Sequence, residues 1–586
     1  MKNTIIIKKK NWNIFDIVLL ISVFIICNLA TFFEIAPTSW DETGYFLHAA
    51  YMAGEDWSDV STILPYYSFG NALLTSLLFG LFRHIIHYSM LYKMVLVGQS
   101  FFLCLSFVIA RKVYMLLFNP NDSRIASVVA LTCILYPSNI AYTDLHLSET
   151  YITFSFWAIV LLLIEMDKKG VAFYKVILYD ILIVYIFFVH QRMLGVSICG
   201  FIVLIALFFK AIKNKSINKR LIVIHIVSAV IVSGLFVTGY IYKNHSKTAL
   251  WPVESSLNDF NAYVELVDSQ FYWLKAFVSV LADMLRKLWY VHLTTFGFLL
   301  IALIEIVKGF FNKNQENNNN TLYITNAFLV VSLLTSLGIV GIVAAEGKYI
   351  RIDNIFLGRY IEAIIGPYLL IGVGHFIKNK KRFNIGIIII ANVLLLKIVE
   401  YAINYTLAVS DSVSRSSNVG IYIFLSNSYK VGTVELCVLI VSILELFIWL
   451  ISQNNKGKIC SLVIVLVFYL INTFAFTNSI VEEQKINKNE LARFVDYIGE
   501  GEQSIGYFKG QQMPLIIKFM NPNLHFSELT TDMDLVEGKQ FDFIILEKKY
   551  KSFFDVIELN RYYKTVYELD EYIMLEKVRG RVYECD

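Results

Sequence analysis

Two adjacent carboxylates, Asp41 and Glu42, follow the first apolar segment of the chain, within the run SWDETGY at residues 39–45. A carboxylate beside a hydroxyl nucleophile can take its proton as a general base. A structural interpretation is also open, because acidic side chains favour helix starts, where free N–H groups and the positive end of the helix dipole attract them. In a helix that begins here, Asp41 and Tyr45 share one face at i, i+4 spacing. The run therefore predicts either a functional pair of carboxylates or a helix cap beside an interfacial belt of aromatic residues.

A second acidic cluster, DLHLSET at residues 144–150, lies in a very short predicted loop between two apolar segments. It contains Asp144, His146 and Glu149. Glu149 must lie within about a turn of the hydrocarbon, where an unpaired carboxylate is costly and usually functional. Capping of the following helix is again the structural alternative.

Cations recur in segments that we predict on the same side of the membrane: Arg192, Lys348 and Arg359, the last followed by Tyr360. The arginine fork matches phosphate oxygens, so these residues are natural ligands for a lipid phosphate. Any one of them alone could instead be a basic side chain that reaches from apolar surroundings to the membrane surface. Together with the carboxylates, they predict a binding site. The histidines of these segments lack the i, i+4 pairing of a helical metal site, which argues against a histidine metal centre.

The composition shows what kind of scaffold must position these groups. Of 586 residues, 57% are hydrophobic and only 17% are charged, with a mean hydropathy of +0.59. This excess exceeds what water-soluble domains can bury, so the chain is predicted to be a polytopic α-helical membrane protein. A net charge of +4 is too balanced to indicate a nucleic-acid partner. The seven cysteines have no CxxC spacing, so neither a disulfide framework nor a thiolate metal site is predicted.

Apolar runs of spanning length predict thirteen transmembrane helices, at roughly residues 13–33, 91–110, 125–142, 147–165, 174–189, 193–210, 221–241, 290–310, 322–345, 360–377, 384–407, 432–452 and 459–478. The segment 66–86 is nearly long enough to span but contains polar residues and Arg83. If it spanned, the most basic loops would lie outside the cell, so we predict an interfacial or re-entrant helix instead. The N-terminus is then cytoplasmic and the C-terminus extracytoplasmic, in a multi-pass protein of the cell membrane.

Two domains are predicted. Residues 1–478 form the transmembrane domain, with juxtamembrane helices in an outer loop at 34–90 and a second long outer loop at 242–289. Charges become frequent after residue 478, and residues 479–586 are predicted to be a small extracytoplasmic α/β domain. Its predicted elements are, in order, a helix at 488–498, a strand at 504–508, a helix at 514–520, a strand at 541–546, a helix at 551–559, and strands at 565–567 and 572–577.

This pattern resembles the GT-C superfamily of membrane glycosyltransferases, and within it family 39, with its protein O-mannosyltransferases and lipid A aminoarabinose transferase. The residues that carry the resemblance are Asp41-Glu42-x-x-Tyr45-x-x-x-Ala49 after the first helix, Ser148-Glu149-Thr150 at the start of the fourth, and Gly358-Arg359-Tyr360 before the tenth. The number of spans, the juxtamembrane helices and the terminal outer domain also resemble that superfamily. The small α/β C-terminal domain departs from the β-trefoil insert of eukaryotic mannosyltransferases, which argues against protein O-mannosylation.

The resemblance implies inverting transfer of a sugar from a polyprenyl-phosphate donor to an extracytoplasmic glycan, lipid or protein acceptor, in contact with membrane lipids. By resemblance, Asp41 is the base, and Glu42 or Glu149 orients the acceptor or the sugar. Cations would stabilise the leaving phosphate, and further side chains would contact substrate; the candidates are Arg192, Lys348, Arg359, Tyr45, Asp144, His146 and Tyr360. Oligosaccharyltransferases of the superfamily place a divalent metal at their acidic residues, but family 39 members are not thought to need one. We therefore predict no cofactor and no metal, with a divalent metal ion at the acidic residues as the alternative.

Three other functions remain open from the sequence. A transporter or flippase of lipid-linked sugars would share the multi-span body and the phosphate-binding cations, but we find no convincing internal repeat. A polymerase or ligase of surface polysaccharide would share the donor, but such enzymes usually depend on outer-loop arginines and a histidine. A scaffold without catalysis is the third, if Asp41 and Glu42 only cap a helix.

Overall fold

The computed structural model describes most of the chain. The described residues are 12–61, 63–64, 67–213, 219–251, 273–311, 322–346, 358–378, 385–407, 415–426, 430–499, 501–508, 511–529, 541–550 and 562–578. The predicted helix at 551–559 and the candidate Lys348 lie outside these residues.

Helices build most of the described residues between 14 and 498. Their bounds are α1 Ile14–Cys27, α2 Trp40–Met52, α3 Ser58–Ser61, α4 Ala72–Phe82, α5 Tyr88–Phe118, α6 Ser123–Ile134, α7 Pro137–Ala141, α8 Glu149–Lys169, α9 Phe173–Val189, α10 Leu194–Lys213, α11 Lys219–Leu250, α12 Trp273–Thr294, α13 Phe298–Phe311, α14 Tyr323–Glu346, α15 Arg359–Lys378, α16 Ile385–Leu407, α17 Tyr422–Leu425, α18 Val431–Ile451, α19 Asn455–Ile486 and α20 Ala492–Ile498. A short 3-10 turn, Gln191–Met193, precedes α10. The prediction of a polytopic helical membrane protein is confirmed.

Eight helices within the described residues are long and apolar enough to cross a membrane, or up to nine if a bent pair forms one span. The bent pair is α12 and α13, and the helix axis changes direction by 112° between them. The break falls where Phe296 and Gly297 both adopt positive φ, at 51° and 75°, a conformation that glycine tolerates and phenylalanine rarely adopts. The prediction of one continuous helix at 290–310 is therefore wrong, and the count of thirteen spans stays a prediction.

The segment 66–86 forms only the 11-residue helix α4. Such a helix is about 16 Å long, roughly half the ~30 Å thickness of the hydrocarbon. By its length α4 cannot span, as we expected of an interfacial or re-entrant segment.

A five-stranded sheet follows the helices, with strands β1 Ser504–Phe508, β2 His525–Leu529, β3 Phe543–Glu547, β4 Tyr563–Glu568 and β5 Tyr572–Lys577. The strand order is β2-β1-β3-β5-β4. β1 pairs in parallel with β2 and β3, whereas β5 is antiparallel to β3 and β4. The predicted small C-terminal α/β domain is confirmed, although β2 was not predicted. Helix α21, Met513–Met520, connects β1 to β2 and is buried along its whole length.

Helix α21 packs the sheet domain directly against the helices that follow α1. The ring of Phe519 lies 4.8 Å from that of Phe46 in α2, and the Phe519 carbonyl accepts a hydrogen bond from Arg83 at 2.7 Å. Lys518 donates to Asp59 at 2.9 Å. Because these contacts are buried and partly ionic, α2 is held between the helix bundle and the sheet domain.

Candidate active site

Four charged side chains from distant parts of the sequence meet at the starts of four elements. Asp41 lies in the first turn of α2 and Glu149 is the first residue of α8. Arg192 lies in the turn before α10, and Arg359 is the first residue of α15. An arginine at a helix start is opposed by the helix dipole. These cations therefore need the carboxylates beside them.

Arg359 joins the two carboxylates. Its Nε donates to Glu149 Oε1 at 2.6 Å and its Nη2 donates to Glu149 Oε2 at 3.4 Å, so the contact is bidentate. Its Nη1 donates to Asp41 Oδ2. Two carboxylates so close together would repel each other, and the shared guanidinium removes most of that repulsion.

Arg192 shares Glu149 with Arg359, since its Nη2 donates to Glu149 Oε1 at 2.8 Å. The guanidinium carbon lies 4.9 Å from the centre of the Tyr360 ring, in a cation–π contact. Within the described part of the chain, Nε and Nη1 of Arg192 are buried without a hydrogen-bond partner. Buried unpaired donors on a charged group are costly, so this guanidinium has capacity for an anion.

Asp41 is the most accessible member of the cluster, with 30% of its side chain exposed, whereas the Glu149 side chain is fully buried. Its Oδ1 accepts a hydrogen bond from the Tyr67 hydroxyl at 2.5 Å. Burial by itself would raise the pKa of Asp41, but the charge of Arg359 and the Tyr67 hydroxyl outweigh burial and lower the pKa. Asp41 is thus an ionised carboxylate with access to water.

Glu42 does not join the four charged groups. Its Oε2 accepts from the backbone N–H groups of Thr38 and Ser39, each at 2.9 Å, and the Ser39 hydroxyl accepts from the Glu42 N–H in a capping box. Its Oε1 accepts from the Tyr92 hydroxyl and from the His146 N–H. With both oxygens engaged, Glu42 fixes the start of α2 and therefore the position of Asp41.

Three other predicted residues lie around this start of α2 and make no hydrogen bond to the four charged groups. Asp144 accepts from the Thr477 hydroxyl at 2.7 Å. The His146 ring lies 3.2 Å from the Thr75 hydroxyl, and burial lowers the pKa of His146 to about 3, which keeps its ring neutral. The Tyr45 ring packs 5.2 Å from that of Tyr67.

Sequence reasoning missed Tyr67 and did not assign a role to Glu362. Glu362 lies one turn after Arg359 and accepts hydrogen bonds from three buried tyrosine hydroxyls, at 2.7–3.0 Å; these belong to Tyr136, Tyr142 and Tyr290. This contact ties the start of α15 to α6, α7 and α12. Only the position of Glu362 in the run GRYIE could have drawn attention to it.

No group of three or more His, Cys, Asp or Glu side chains that could hold a metal ion occurs among the described residues. In the cluster itself, both carboxylates already bond to guanidinium groups. The donor set seen here is suited to an anion rather than to a divalent cation.

No family model and no curated protein sequence matches this chain. Solved structures do match. The crystal structure of ArnT from Cupriavidus metallidurans bound to undecaprenyl phosphate aligns over 96% of this chain and 98% of its own, with a TM-score of 0.52 and 9% identity. The apo state of the same protein gives a TM-score of 0.51 at 9% identity, over the same shares of both chains. The archaeal oligosaccharyltransferase AglB from Archaeoglobus fulgidus, in complex with an inhibitory peptide and a dolichol-phosphate, aligns at a TM-score of 0.41 and 9% identity. That alignment covers 93% of this chain and 71% of AglB.

The fold expected from the resemblance is thus confirmed by the likeness to ArnT, while membership of the GT-C superfamily and of family 39 stays a prediction. A likeness at 9% identity speaks for the fold alone. By its fold and its apolar helices, the chain is a multi-span membrane protein that is similar to ArnT.

Proposed function

We propose that this protein is a membrane glycosyltransferase that moves a sugar from a polyprenyl-phosphate donor to an extracytoplasmic acceptor by an inverting displacement. The observation that carries the proposal is the buried cluster in which Arg192 keeps two unpaired donors beside Arg359 and an accessible carboxylate, Asp41. The fold adds support, because ArnT, with which the chain aligns along nearly its whole length, has been solved with undecaprenyl phosphate bound.

The two arginines would hold the donor phosphate. A phosphate oxygen can accept from the free Nε and Nη1 of Arg192, and Arg359 adds a second positive charge next to it. Both cations neutralise charge on the phosphate oxygen as the bond to the sugar breaks, so no general acid is needed. Glu149 keeps the two guanidinium groups side by side, since both donate to its Oε1.

Asp41 would act as the base. In the proposed step, the acceptor hydroxyl gives its proton to the Asp41 carboxylate while its oxygen bonds to the anomeric carbon. The bond between that carbon and the phosphate oxygen breaks, and its electron pair leaves with the polyprenyl phosphate. The proton then passes from Asp41 to water, which reaches the side chain because 30% of it is exposed.

The proposed function also includes the membrane topology and the substrate classes. The cluster would lie on the extracytoplasmic side, together with the C-terminal sheet domain, and residues 1–478 would form the catalytic membrane domain. The N-terminus would be cytoplasmic. Lys348 stays a candidate for an additional phosphate contact. A glycan, a lipid or a protein are the acceptor classes that such a site could serve, and we propose no narrower choice.

Transfer of a labelled sugar from polyprenyl-phosphate donors by the purified protein in lipid tests the proposal. We expect turnover by the wild type, loss of turnover in Asp41→Asn, and retained binding of undecaprenyl phosphate in that variant. Equal turnover in both proteins would remove Asp41 from the chemistry. Movement of lipid-linked sugar across the bilayer without any transfer would instead indicate a flippase.

A further inference from the structure

The two oxygens of the Asp41 carboxylate are held in different ways. Oδ1 accepts a hydrogen bond from the neutral Tyr67 hydroxyl at 2.5 Å, whereas Oδ2 accepts from Nη1 of the Arg359 cation. Arg359 has a second carboxylate, Glu149, within reach and is one of the two groups suited to bind a phosphate. The bond to Oδ2 is therefore the one that an anionic ligand can replace, and the bond to Oδ1 is not.

Tyr67 can reach Asp41 only because of a glycine in α2. A Cβ atom at Gly44 would lie 2.3 Å from Cδ2 of the Tyr67 ring, closer than any real contact. Glycine in the middle of a helix costs about 1 kcal/mol relative to alanine. Here the missing side chain leaves room for the Tyr67 ring to approach the helix backbone one turn from Asp41.

The backbone of Tyr67 is fixed separately from its ring. Nε2 of the buried His48, one turn beyond Gly44 on α2, donates to the Tyr67 carbonyl at 2.8 Å. Burial lowers the pKa of His48 to about 4, so the imidazole is neutral and remains a stable donor at physiological pH. The Tyr67 ring also packs against Tyr45 at 5.2 Å. A single helix, α2, thus carries Asp41 and also provides the contacts that hold Tyr67 against it.

From this geometry we infer that Tyr67 is a positioning residue of the proposed transfer reaction: it holds Asp41 by Oδ1 so that Oδ2 is the oxygen that receives the acceptor proton. The inference rests on the proposed function. When a donor phosphate binds, Arg359 Nη1 turns its hydrogen bond from Oδ2 to a phosphate oxygen. Oδ2 is then open to the acceptor hydroxyl, while the Tyr67 hydroxyl keeps the carboxylate from rotating. Tyr67 does not exchange a proton with either substrate.

Four titratable groups of the described structure act on Asp41 or are acted on by it, and each comes from a different element. They are Tyr67 from the 67–71 segment, Arg359 from α15, Glu149 from α8 and Tyr45 from α2 itself. Of these, only Tyr67 and Arg359 donate to the carboxylate and lower its pKa, and Glu149 opposes them. Loss of the Tyr67 hydroxyl alone must therefore raise the pKa of Asp41.

The test compares Tyr67→Phe with Tyr92→Phe. Both replacements delete one buried phenol hydroxyl that donates to a carboxylate of α2, Asp41 in the first case and Glu42 in the second. In Tyr67→Phe we expect kcat to fall about tenfold or more with KM for the donor unchanged, because a charge-assisted bond that orients the base is lost. We also expect the acid limb of the rate profile to move to higher pH. In Tyr92→Phe the acid limb should not move.

A second pair of variants changes the space available to the Tyr67 ring and leaves its hydroxyl in place. Gly44→Ala places a methyl group where the Tyr67 ring lies and should reproduce the loss of kcat. Gly80→Ala in α4 adds a methyl group that meets nothing within 4 Å and should not reproduce it. Unchanged kcat and an unmoved acid limb in folded Tyr67→Phe would overturn the inference.

A readout without turnover separates this inference from the proposed function. Infrared titration of the Asp41 carboxyl, identified by its absence in Asp41→Asn, reports its pKa directly. A higher pKa of Asp41 in Tyr67→Phe than in wild type supports the proposed hydrogen bond from Tyr67 to Asp41. If the pKa is higher but no donor is turned over, the proposed function is wrong and the role of Tyr67 in positioning Asp41 still stands. An unchanged pKa overturns the inference.

Discussion

Nε of Arg359 donates to Oε1 of Glu149 over 2.6 Å, joining two residues that lie 210 positions apart in the chain. Each is the first residue of a long helix, so the contact locks the starts of α8 and α15 together. Because both side chains are almost entirely buried, solvent and salt screen the pair much less than they would screen an exposed pair. The pair is therefore the fixed part of the cluster, and Asp41, at its accessible edge, is the part that can change partners.

Replacement of Glu149 by Gln should destabilise the protein strongly. It leaves the buried Arg192 and Arg359 facing each other with only Asp41 as counter-charge, and loss of one partner of a buried pair costs about 3–5 kcal/mol. We expect a clear fall in the thermal unfolding temperature of the detergent-solubilised protein. The control is Glu482→Gln, because Glu482 is exposed near the end of α19 and should tolerate the same change. Equal unfolding temperatures for the two variants would contradict the prediction.

Arg192→Lys should weaken donor binding more than chemistry. Lysine keeps the charge but loses the fork, the cation–π contact with Tyr360 and the two free donors on Nε and Nη1. We expect KM for the polyprenyl-phosphate sugar to rise about tenfold or more, since one charge-assisted hydrogen bond contributes about 1.5–3 kcal/mol, with a smaller change in kcat.

The control for Arg192→Lys is Lys112→Arg, which makes the reverse exchange at a half-exposed lysine that pairs with Glu165. Stabilisation by added undecaprenyl phosphate, read as a shift in the unfolding temperature, should be lost in Arg192→Lys and kept in Lys112→Arg. A KM equal to that of the wild type would remove Arg192 from the phosphate site.

The pH dependence of transfer should differ between the free enzyme and the donor complex. Burial raises and the Arg359 charge lowers the pKa of Asp41, and in the free protein the lowering dominates. The ionised form is the active one, so activity is lost as pH falls through this lowered pKa. In the complex Arg359 turns to the phosphate, and the pKa of Asp41 must rise. We therefore expect the acid limb of kcat at a higher pH than the acid limb of kcat/KM for the donor. Coincident limbs would mean that Arg359 stays on Asp41 during turnover.

Several of these features could be predicted from residue patterns alone. Long apolar runs predict the helical body, because a helix needs about 20 apolar residues to cross the hydrocarbon. After residue 478 the composition changes, and the short alternating apolar segments there predict the α/β domain. Strands β1 and β5 match the predicted bounds. Two adjacent carboxylates at a helix start indicate a functional role for Asp41, and the cost of an unpaired carboxylate close to the hydrocarbon indicates one for Glu149; both roles stay predictions.

The pairing of these residues could not be predicted. The contacts of Arg192 and Arg359 with Glu149 span 43 and 210 positions, and no local spacing encodes them. Tyr67 is one of many tyrosines, and its role depends on a clearance at Gly44 that only the fold reveals. Likewise, the break between α12 and α13 contains an apolar residue, Phe296, with positive φ, which hydropathy does not detect.

The contact between the sheet domain and the helix bundle predicts a further stability effect. Lys518 is buried and donates to Asp59 at 2.9 Å and to the Leu524 carbonyl at 2.7 Å. Lys518→Met removes both bonds and should lower the free energy of unfolding by about 1.5–3 kcal/mol. Lys564→Met is the matched control, because Lys564 forms an exposed pair with Glu576 at 3.0 Å and such pairs contribute about 0–1 kcal/mol. Equal losses in the two variants would show that Lys518 does not stabilise the contact.

The buried carboxyl groups of Asp144 and Glu34 make stability depend on pH in the opposite sense to Asp41. Burial raises the pKa of Asp144 to about 8, and burial and the nearby Asp144 raise the pKa of Glu34. An unfolded aspartic acid titrates at about 3.9, so between about pH 4 and about pH 8 the folded state retains a proton that the unfolded state has lost. Stability must fall as pH rises through this window. Asp144→Asn keeps an oxygen to accept from the Thr477 hydroxyl but does not titrate.

We therefore expect the unfolding temperature of Asp144→Asn, relative to wild type, to increase steadily from about pH 5 to about pH 8. Some pH dependence should persist, because Glu34 is still buried, and Glu34→Gln combined with Asp144→Asn should reduce it further. Thr477→Val is the control for the hydrogen bond alone: it should lower the unfolding temperature without reducing the dependence on pH. A constant difference between Asp144→Asn and wild type across this range would show that Asp144 is ionised in the folded protein and would contradict the prediction.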